Sequence, residues 1–470
     1  MSTAPIAMTA PPDVYAARRA RLAAGLQRPL AIFAGRARPR TYAANYYPFR
    51  AGSNYLYFGG PPLEGAAILV EPGSDGRAAC LLFRQRHMLE DAVWTGERPG
   101  DDDVSQASGL PLAALREPDA LAAALGHRTG AFVAPPCGPT RDWIRTLDLQ
   151  PANEEELRQI VGLRIIKDDH EIRAMRGAAD AAVQAHLAAM ESAAPGRSEA
   201  EVAAALLAVL VAFRCDVSFT PTVTIHGEVL HCDGFPHALE AGQLLLVDAG
   251  AEEGGGYASD VTRACPVSGQ FTPVQRHIYD TVRRAQQAAI AACTPGRRFR
   301  DVHDLAGRVL CEGLVAAGLL RGDPQELAAR GAHTLFFTHG LGHLLGLDVH
   351  DMEDFGDVAG YAPGRTRRTQ FGSKFLRFDR DLETGMTLTI EPGIYLVPAI
   401  WKHDELVAPF ADVVNRRAVD ALLADHFGGI RIEDDVLVRD VAAGGPDVLT
   451  ADLPSDADAV AAIVAGSHST

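Results

Sequence analysis

Short apolar runs bounded by glycine, proline and charged residues predict strands at Leu30–Phe33 and Ala66–Val70. Between them, Arg50-Ala-Gly-Ser-Asn-Tyr-Leu-Tyr-Phe58-Gly-Gly is aromatic and ends in a glycine turn, and an Ala- and Leu-rich stretch predicts a helix over Leu110–Leu125. The polar segment from Gln150 to Arg158 then leads into a helical pattern from Asp169 to Met190. The boundary between a smaller N-terminal domain, residues 1–163, and a larger domain, residues 164–470, is placed between the two. Ser198 with Glu201, and Thr272-Pro273 with Gln275, are capping boxes in which the first side chain and the fourth satisfy each other's backbone N–H groups. They predict helix starts at Ser198 and Thr272; the latter helix runs to Cys293, and a further one spans Arg300 to Leu319. Pro-Gly-Arg recurs at 195–197 and 295–297, each time between two predicted helices. The strands repeat as well. Gly242-Gln-Leu-Leu-Leu-Val-Asp248-Ala-Gly250 and Gly385-Met-Thr-Leu-Thr-Ile-Glu391-Pro-Gly393 share one frame, in which an apolar run ends in a carboxylate that a core strand disfavours. The fold class is therefore α/β, with two similar halves facing each other and delivering carboxylates to a shared centre.

Composition narrows the function. The chain has 470 residues, 47% apolar and 22% charged, enough for a sizeable core. Its formal charge of −16 repels phosphate backbones and anionic bilayers, which argues against nucleic acid or a membrane as partner. The longest apolar run, Val202–Phe213, has 12 residues, short of the roughly 20 that span a bilayer. The opening MSTAPIAMTAPPD lacks the basic and apolar regions of a secretory signal. Seven scattered cysteines with no CxxC fit a reducing, cytoplasmic location and exclude a disulfide scaffold.

Asp248 and Asp260 flank a turn containing Gly254-Gly-Gly256, so an antiparallel hairpin of 244–250 with 257–267 brings them together. In the other half, alternation along Gly429–Val438 puts Arg431 and Glu433 on one face and Ile430, Ile432 and Val436 on the opposite one. Between the halves, His339, His343 and His350 fall within twelve residues. Several buried carboxylates at one point repel unless divalent cations neutralise them. Asp248, Asp260, Glu391 and Glu433 with His343 form a mostly oxygen shell, suited above all to Mn²⁺, with Co²⁺ or Zn²⁺ as alternatives. Bridging carboxylates hold two such ions roughly 3.5–4 Å apart and lower the pKa of a shared water.

Val247-Asp248-Ala-Gly with Ser259-Asp260-Val-Thr-Arg, His339-Gly-Leu-Gly-His343-Leu-Leu-Gly-Leu-Asp-Val-His350-Asp, Thr389-Ile-Glu391-Pro-Gly-Ile-Tyr and Gly429-Ile-Arg-Ile-Glu433-Asp-Asp resemble the signatures of the pita-bread metallopeptidases, in the aminopeptidase P and prolidase branch. The resemblance covers about residues 165–440, and the N-terminal part is similar to that branch's amino-terminal domain through Tyr47-Pro-Phe-Arg50, Asn54-Tyr-Leu-Tyr-Phe and Val93-Trp94-Thr-Gly. It implies a pita-bread catalytic domain of two pseudo-symmetric halves that cleaves the bond before proline in proline-containing peptides, with two metal ions, in a homodimer or homotetramer. It implies metal ligation by Asp248, Asp260, His343, Glu391 and Glu433, with Glu391 also moving the proton that amide hydrolysis requires. His350 would donate to the developing oxyanion, His231 and His339 would contact substrate around the proline, and Arg431 would orient a ligand carboxylate. Arg377 matches a position that in prolidases grips the substrate's terminal carboxylate.

The chain departs from the family in a 12-residue aspartate spacing, one longer than expected, in an insertion from Glu353 to Lys374, and in Asn54 where relatives often place an acid. The first reading is an Xaa-Pro aminopeptidase; the alternatives are a dipeptide-restricted prolidase, a non-catalytic pita-bread binding module and metal-free creatinase-like chemistry. The ordinary roles of packing and solvation suit His226, His237 and His333, and Trp94 is read as packing within its own domain, with the alternative, from the resemblance, that it reaches a neighbouring subunit's site. Cys232 beside His231 lacks the partners of a cysteine nucleophile, and Gly254–Gly256 lacks the lysine of a phosphate loop.

Overall fold

In the computed structural model, residues 6–42, 44–73, 78–86 and 89–467 are described; residues 1–5, part of the opening read as lacking signal character, lie outside them. The chain forms two compact units, one of residues up to Ile165 together with Gly254–Gly256, the other of Ile166–Glu253 and the chain from Tyr257 onward.

The first unit is built on a six-stranded sheet of β1 (Leu30–Phe33), β2 (Ala67–Val70), β3 (Cys80–Phe83), β4 (Leu115–Arg116), β5 (Gly130–Val133) and β6 (Leu149–Pro151), in the order β4-β3-β2-β1-β5-β6. Every residue of β1 and β2 is buried, as continuous apolar runs without alternation require when both faces are covered. Two expectations fail here. Leu110–Leu125 is not one helix: a turn at Leu112–Ala114, the edge strand β4 and a short helix Ala120–Leu125 replace it. Pro118, lacking an N–H and disfavouring helix at Glu117, divides the segment. Trp94 does not pack within its domain but is 86% exposed.

In the second unit, the helices Asp169–Ser192 and Glu199–Ala212 pack as one pair and Pro273–Ala292 and Phe299–Ala316 as another. Ser198 and Thr272 cap the second and third of these through Glu201 N–H and Gln275 N–H. A short ladder joins β7 (Asp216–Val217) to β10 (Ala251–Glu252). Beside it, β8 (Thr222–Thr224), β9 (Leu244–Ala249) and β11 (Val261–Pro266) form an antiparallel sheet with β9 in the middle. Its core is the small and branched apolar surface of the first helix pair, Ala178, Ala182, Val202 and Leu206, laid on Leu245, Val247 and Val261. The other half holds β12 (Thr387–Ile390), β13 (Gly393–Tyr395), β14 (Gly429–Arg431), β15 (Asp434–Leu437) and β16 (Asp447–Val448). Residues 429–438 are thus two strands: β14 pairs with β13 and β15 with β12. The break at Ile432–Glu433 lies opposite the break at Glu391–Pro392, where proline offers no ladder N–H. Thr262 bridges to Glu433, joining the strands of the two halves.

Among the described residues, all seven cysteines are free, and no helix is long and apolar enough to cross a membrane. His226 and His237 are half-buried and face Glu228 and Glu199. His333 is a core residue, but an unsatisfied one: the ring nitrogens of His333 and of its buried neighbour His303 have no hydrogen-bond partner among the described residues. Burial holds His303 near 4 and His333 near 3. Both imidazoles are neutral when folded and take up protons on unfolding, so their contribution is present above about pH 6.5 and is lost as pH falls. Each is expected to withdraw about 2 kcal/mol of stability between neutral pH and pH 5. Urea titrations at the two pH values check this, and the His303→Leu/His333→Leu variant should show a pH dependence changed by the two rings' share, about 4 kcal/mol, relative to wild type.

Candidate active site

The acidic ends of the repeated strands converge. Asp248 is the fifth residue of β9, paired across to Thr222 on β8 and Thr262 on β11, so two threonines share its face. Asp260 immediately precedes β11, and its N–H donates to the buried Asp435 carboxylate at 3.1 Å. Glu391 and Glu433 occupy the two matched strand interruptions, which turns both side chains out of the ladders. His343 arrives on a loop laid against β12: its N–H donates to Thr389 Oγ1 at 3.1 Å, and Thr389 N–H returns a bond to its carbonyl at 2.9 Å. Gly342 permits that approach, since a Cβ there would sit 1.9 Å from the Thr389 carbonyl oxygen.

Ligand-type atoms of Asp260, His343 and His350, of His343, Glu391 and Glu433, and of Asp248, Asp260 and Glu433 form three overlapping groups, each within 4.8 Å. His343 Nε2 lies 3.2 Å from Asp260 and 3.8 Å from Glu391, while Nδ1 bonds the Leu344 carbonyl, leaving the Nε2 lone pair aimed into the cluster. Burial, reinforced by Asp248, pushes the Asp260 carboxyl up. Burial likewise raises Glu433, with Asp260 and Glu391 adding to it. Glu391 is pushed up to about 8 by burial, which Arg431 opposes and Asp260 reinforces. Arg431 is the one buried cation of the cluster: it bonds Asp248, and its Nε donates to Thr262 Oγ1 at 2.9 Å. Thr262 Oγ1 in turn donates to Glu433 at 2.6 Å. One arginine against four carboxylates leaves a large negative excess, and Asp248 Oδ1 is buried with no hydrogen-bond partner among the described residues. An oxygen-rich donor set carrying an orphaned acceptor fits divalent cations.

The cluster opens into a cavity of about 600 Å³. His339 forms part of its wall, held at both nitrogens: Nδ1 bonds the Gly340 carbonyl and Nε2 accepts from Tyr395 O–H, each at 2.8 Å. Burial lowers its pKa to about 3, so it is a neutral, fixed ring. His231 also lines the cavity but is solvent-exposed. The His350 ring lies 4.1 Å from that of His343, and its Nδ1 bonds Glu353. Arg377 reaches the same cavity and the same glutamate. Cys232 is half-buried with its thiol pushed up by burial, the opposite of an activated nucleophile.

Thr262, Tyr395, Asp435, Glu353 and Lys167 were not singled out in the sequence. Lys167 forms a fully buried ion pair with Asp351 at 2.9 Å, bracing the turn that carries His343 and His350. Lys167→Met is expected to cost about 3–5 kcal/mol by breaking this buried ion pair from one side, and K167M/D351L to recover most of it. Denaturant titration measures both.

Fold and site together define a metal-dependent hydrolase. Residues 173–440 match the model of metallopeptidase family M24, and residues 15–128 match that of the aminopeptidase P N-terminal domain. The chain is 32% identical over 462 residues to Xaa-Pro aminopeptidase 1 of Streptomyces coelicolor, covering 95% of this chain and 85% of that protein. It is 30% identical to Xaa-Pro aminopeptidase of Escherichia coli K12, covering 90% of each. Aminopeptidase P from E. coli with the inhibitor Pro-Leu superposes with a TM-score of 0.80 at 26% identity, covering 99% of this chain and all of the other. The protein belongs to metallopeptidase family M24, with an aminopeptidase P-type N-terminal domain.

Proposed function

We propose that the protein is a dinuclear-metal exopeptidase that hydrolyses the bond between an N-terminal residue and a following proline. The observation that carries this reading is the convergence of Asp248, Asp260, His343, Glu391 and Glu433 on one cavity, with an acceptor of Asp248 buried and unused. The Xaa-Pro aminopeptidases it resembles over nearly their whole length supply the substrate class. Bound among those five side chains, a pair of divalent cations, by donor hardness manganese with cobalt or zinc as substitutes, supplies Lewis acidity that lowers the pKa of water and polarises the scissile carbonyl.

The chain's own groups do the rest. Glu391 takes the proton released from water and carries it to the departing proline nitrogen, which must be protonated to leave. His350 gives its Nδ1–H to the Glu353 carboxylate, which favours the imidazolium, and it is in that form that Nε2–H donates to the developing oxyanion. His339, neutral and immobilised, and His231 at the solvent side form walls for the residues flanking the bond. Arg431 holds Asp248 in place and offsets part of the cluster's charge. Assembly as a homodimer or homotetramer and a cytoplasmic location belong to the same reading. The manganese-loaded protein is expected to release glycine from Gly-Pro-Pro-Gly and to leave Gly-Ala-Ala-Gly intact. Metal binding without cleavage of any proline peptide would contradict the reading in favour of a non-catalytic binding module.

A further inference from the structure

A dipeptide and a longer peptide differ, next to the scissile bond, by one charge: the proline carbonyl group is a carboxylate in the first and a neutral amide in the second. Which of the two the cavity accepts depends on the cations that line it. Among the described residues three guanidinium groups line it, and each already has a carboxylate partner: Arg431 with Asp248, Arg367 with Asp357 and Arg377 with Glu353. Arg431 is buried at the floor of the site, and Arg367 also bonds the Leu376 carbonyl, so neither turns readily toward a ligand. Arg377 is different. It is held by the carboxylate of Glu353, and it lines the cavity together with Asp260, His339, His343 and Glu391. Its partner, Glu353, bridges two groups of the cavity wall, with Oε1 toward Arg377 and Oε2 toward His350 Nδ1.

Resting on the exopeptidase reading above, we propose that Glu353 determines substrate length: by occupying Arg377 it denies a free C-terminal carboxylate its cation and disfavours dipeptides relative to longer or blocked Xaa-Pro peptides. The physical reason is competition between like charges. A substrate carboxylate arriving at Arg377 must displace Glu353 or sit beside its charge, whereas an amide carbonyl meets no such opposition. Glu353 stands at the start of the insertion that separates His350 from Glu391, and that insertion also carries Arg367. The same arginine in a cavity without this glutamate would present its planar fork to a carboxylate.

The test compares Gly-Pro with Gly-Pro-amide, which differ only in that charge, on manganese-loaded wild type, Glu353→Gln, Arg377→Met and the double variant. Glutamine keeps an acceptor oxygen for His350 and removes the charge. Taking the ratio of kcat/KM for the two substrates on one enzyme cancels any general loss through His350 or folding. Wild type should favour the amide. Glu353→Gln should raise the acid-to-amide ratio about tenfold or more, through a lower KM for Gly-Pro, the scale of one hydrogen bond to a charged partner. Glu353→Ala should move it in the same direction, and Arg377→Met should abolish the gain in the double variant. A ratio within twofold of wild type in both Glu353 variants, or a gain that survives without Arg377, would overturn the proposal. Wild-type enzyme that cleaves neither peptide nor Gly-Pro-Pro-Gly would instead remove the exopeptidase reading and this inference with it.

Discussion

Exchanging Glu391 for glutamine is expected to lower kcat on Gly-Pro-Pro-Gly by about three orders of magnitude, with a much smaller change in KM. Glutamine is nearly isosteric, so the strand interruption between β12 and β13 survives, but it cannot accept a proton. Positioned proton transfer contributes about 10²–10⁴-fold in hydrolytic enzymes, and Glu391 lies inside the cluster, 3.8 Å from His343 and 3.5 Å from His339. Steady-state kinetics with the metal content measured on the same preparation checks the result. A variant that keeps its metal and loses less than tenfold in kcat would show that the proton passes elsewhere.

Chelation is expected to have the second large effect. Asp260, Glu391 and Glu433 are each raised by burial and by neighbouring carboxylates, so the cluster without cations carries a repulsion that only proton uptake relieves. Ions held about a thousandfold above their dissociation constant stabilise a fold by about 4 kcal/mol apiece, and for a unit of this size that lowers Tm by roughly 10 °C when they are stripped. Dialysis against a chelator, followed by thermal unfolding and an assay, should show both the lower Tm and the loss of turnover, and added manganese should restore both. An unchanged Tm and full activity in protein verified free of metal would contradict it.

The parts of this site legible in the sequence were those that break a rule. An acid closing an apolar strand is out of place, and finding the anomaly twice in one frame pointed to Asp248 and Glu391 before any contact was known. The capping boxes at Ser198 and Thr272 were readable because they are local, four residues satisfying one another. Thr262, Tyr395 and Lys167 were not, because their roles come from pairings across 171, 36 and 184 residues of chain. A threonine or tyrosine in a β-rich run is ordinary on its own. Glu353 was readable only as the edge of an insertion; its bridge between His350 and Arg377 needed the fold. Trp94 shows the opposite failure, a default to packing for a large aromatic ring that the fold leaves 86% exposed.

Metal titration coupled to catalysis tests the central claim most directly. Metal-free protein is titrated with manganese while bound ion and glycine released from Gly-Pro-Pro-Gly are measured together. Five side chains organised around two ions require activity to rise from background and to level off near two equivalents per chain, with Asp260→Asn and Glu433→Gln shifting both curves alike. Saturation with ion and no cleavage, or full cleavage before any ion is bound, would contradict it.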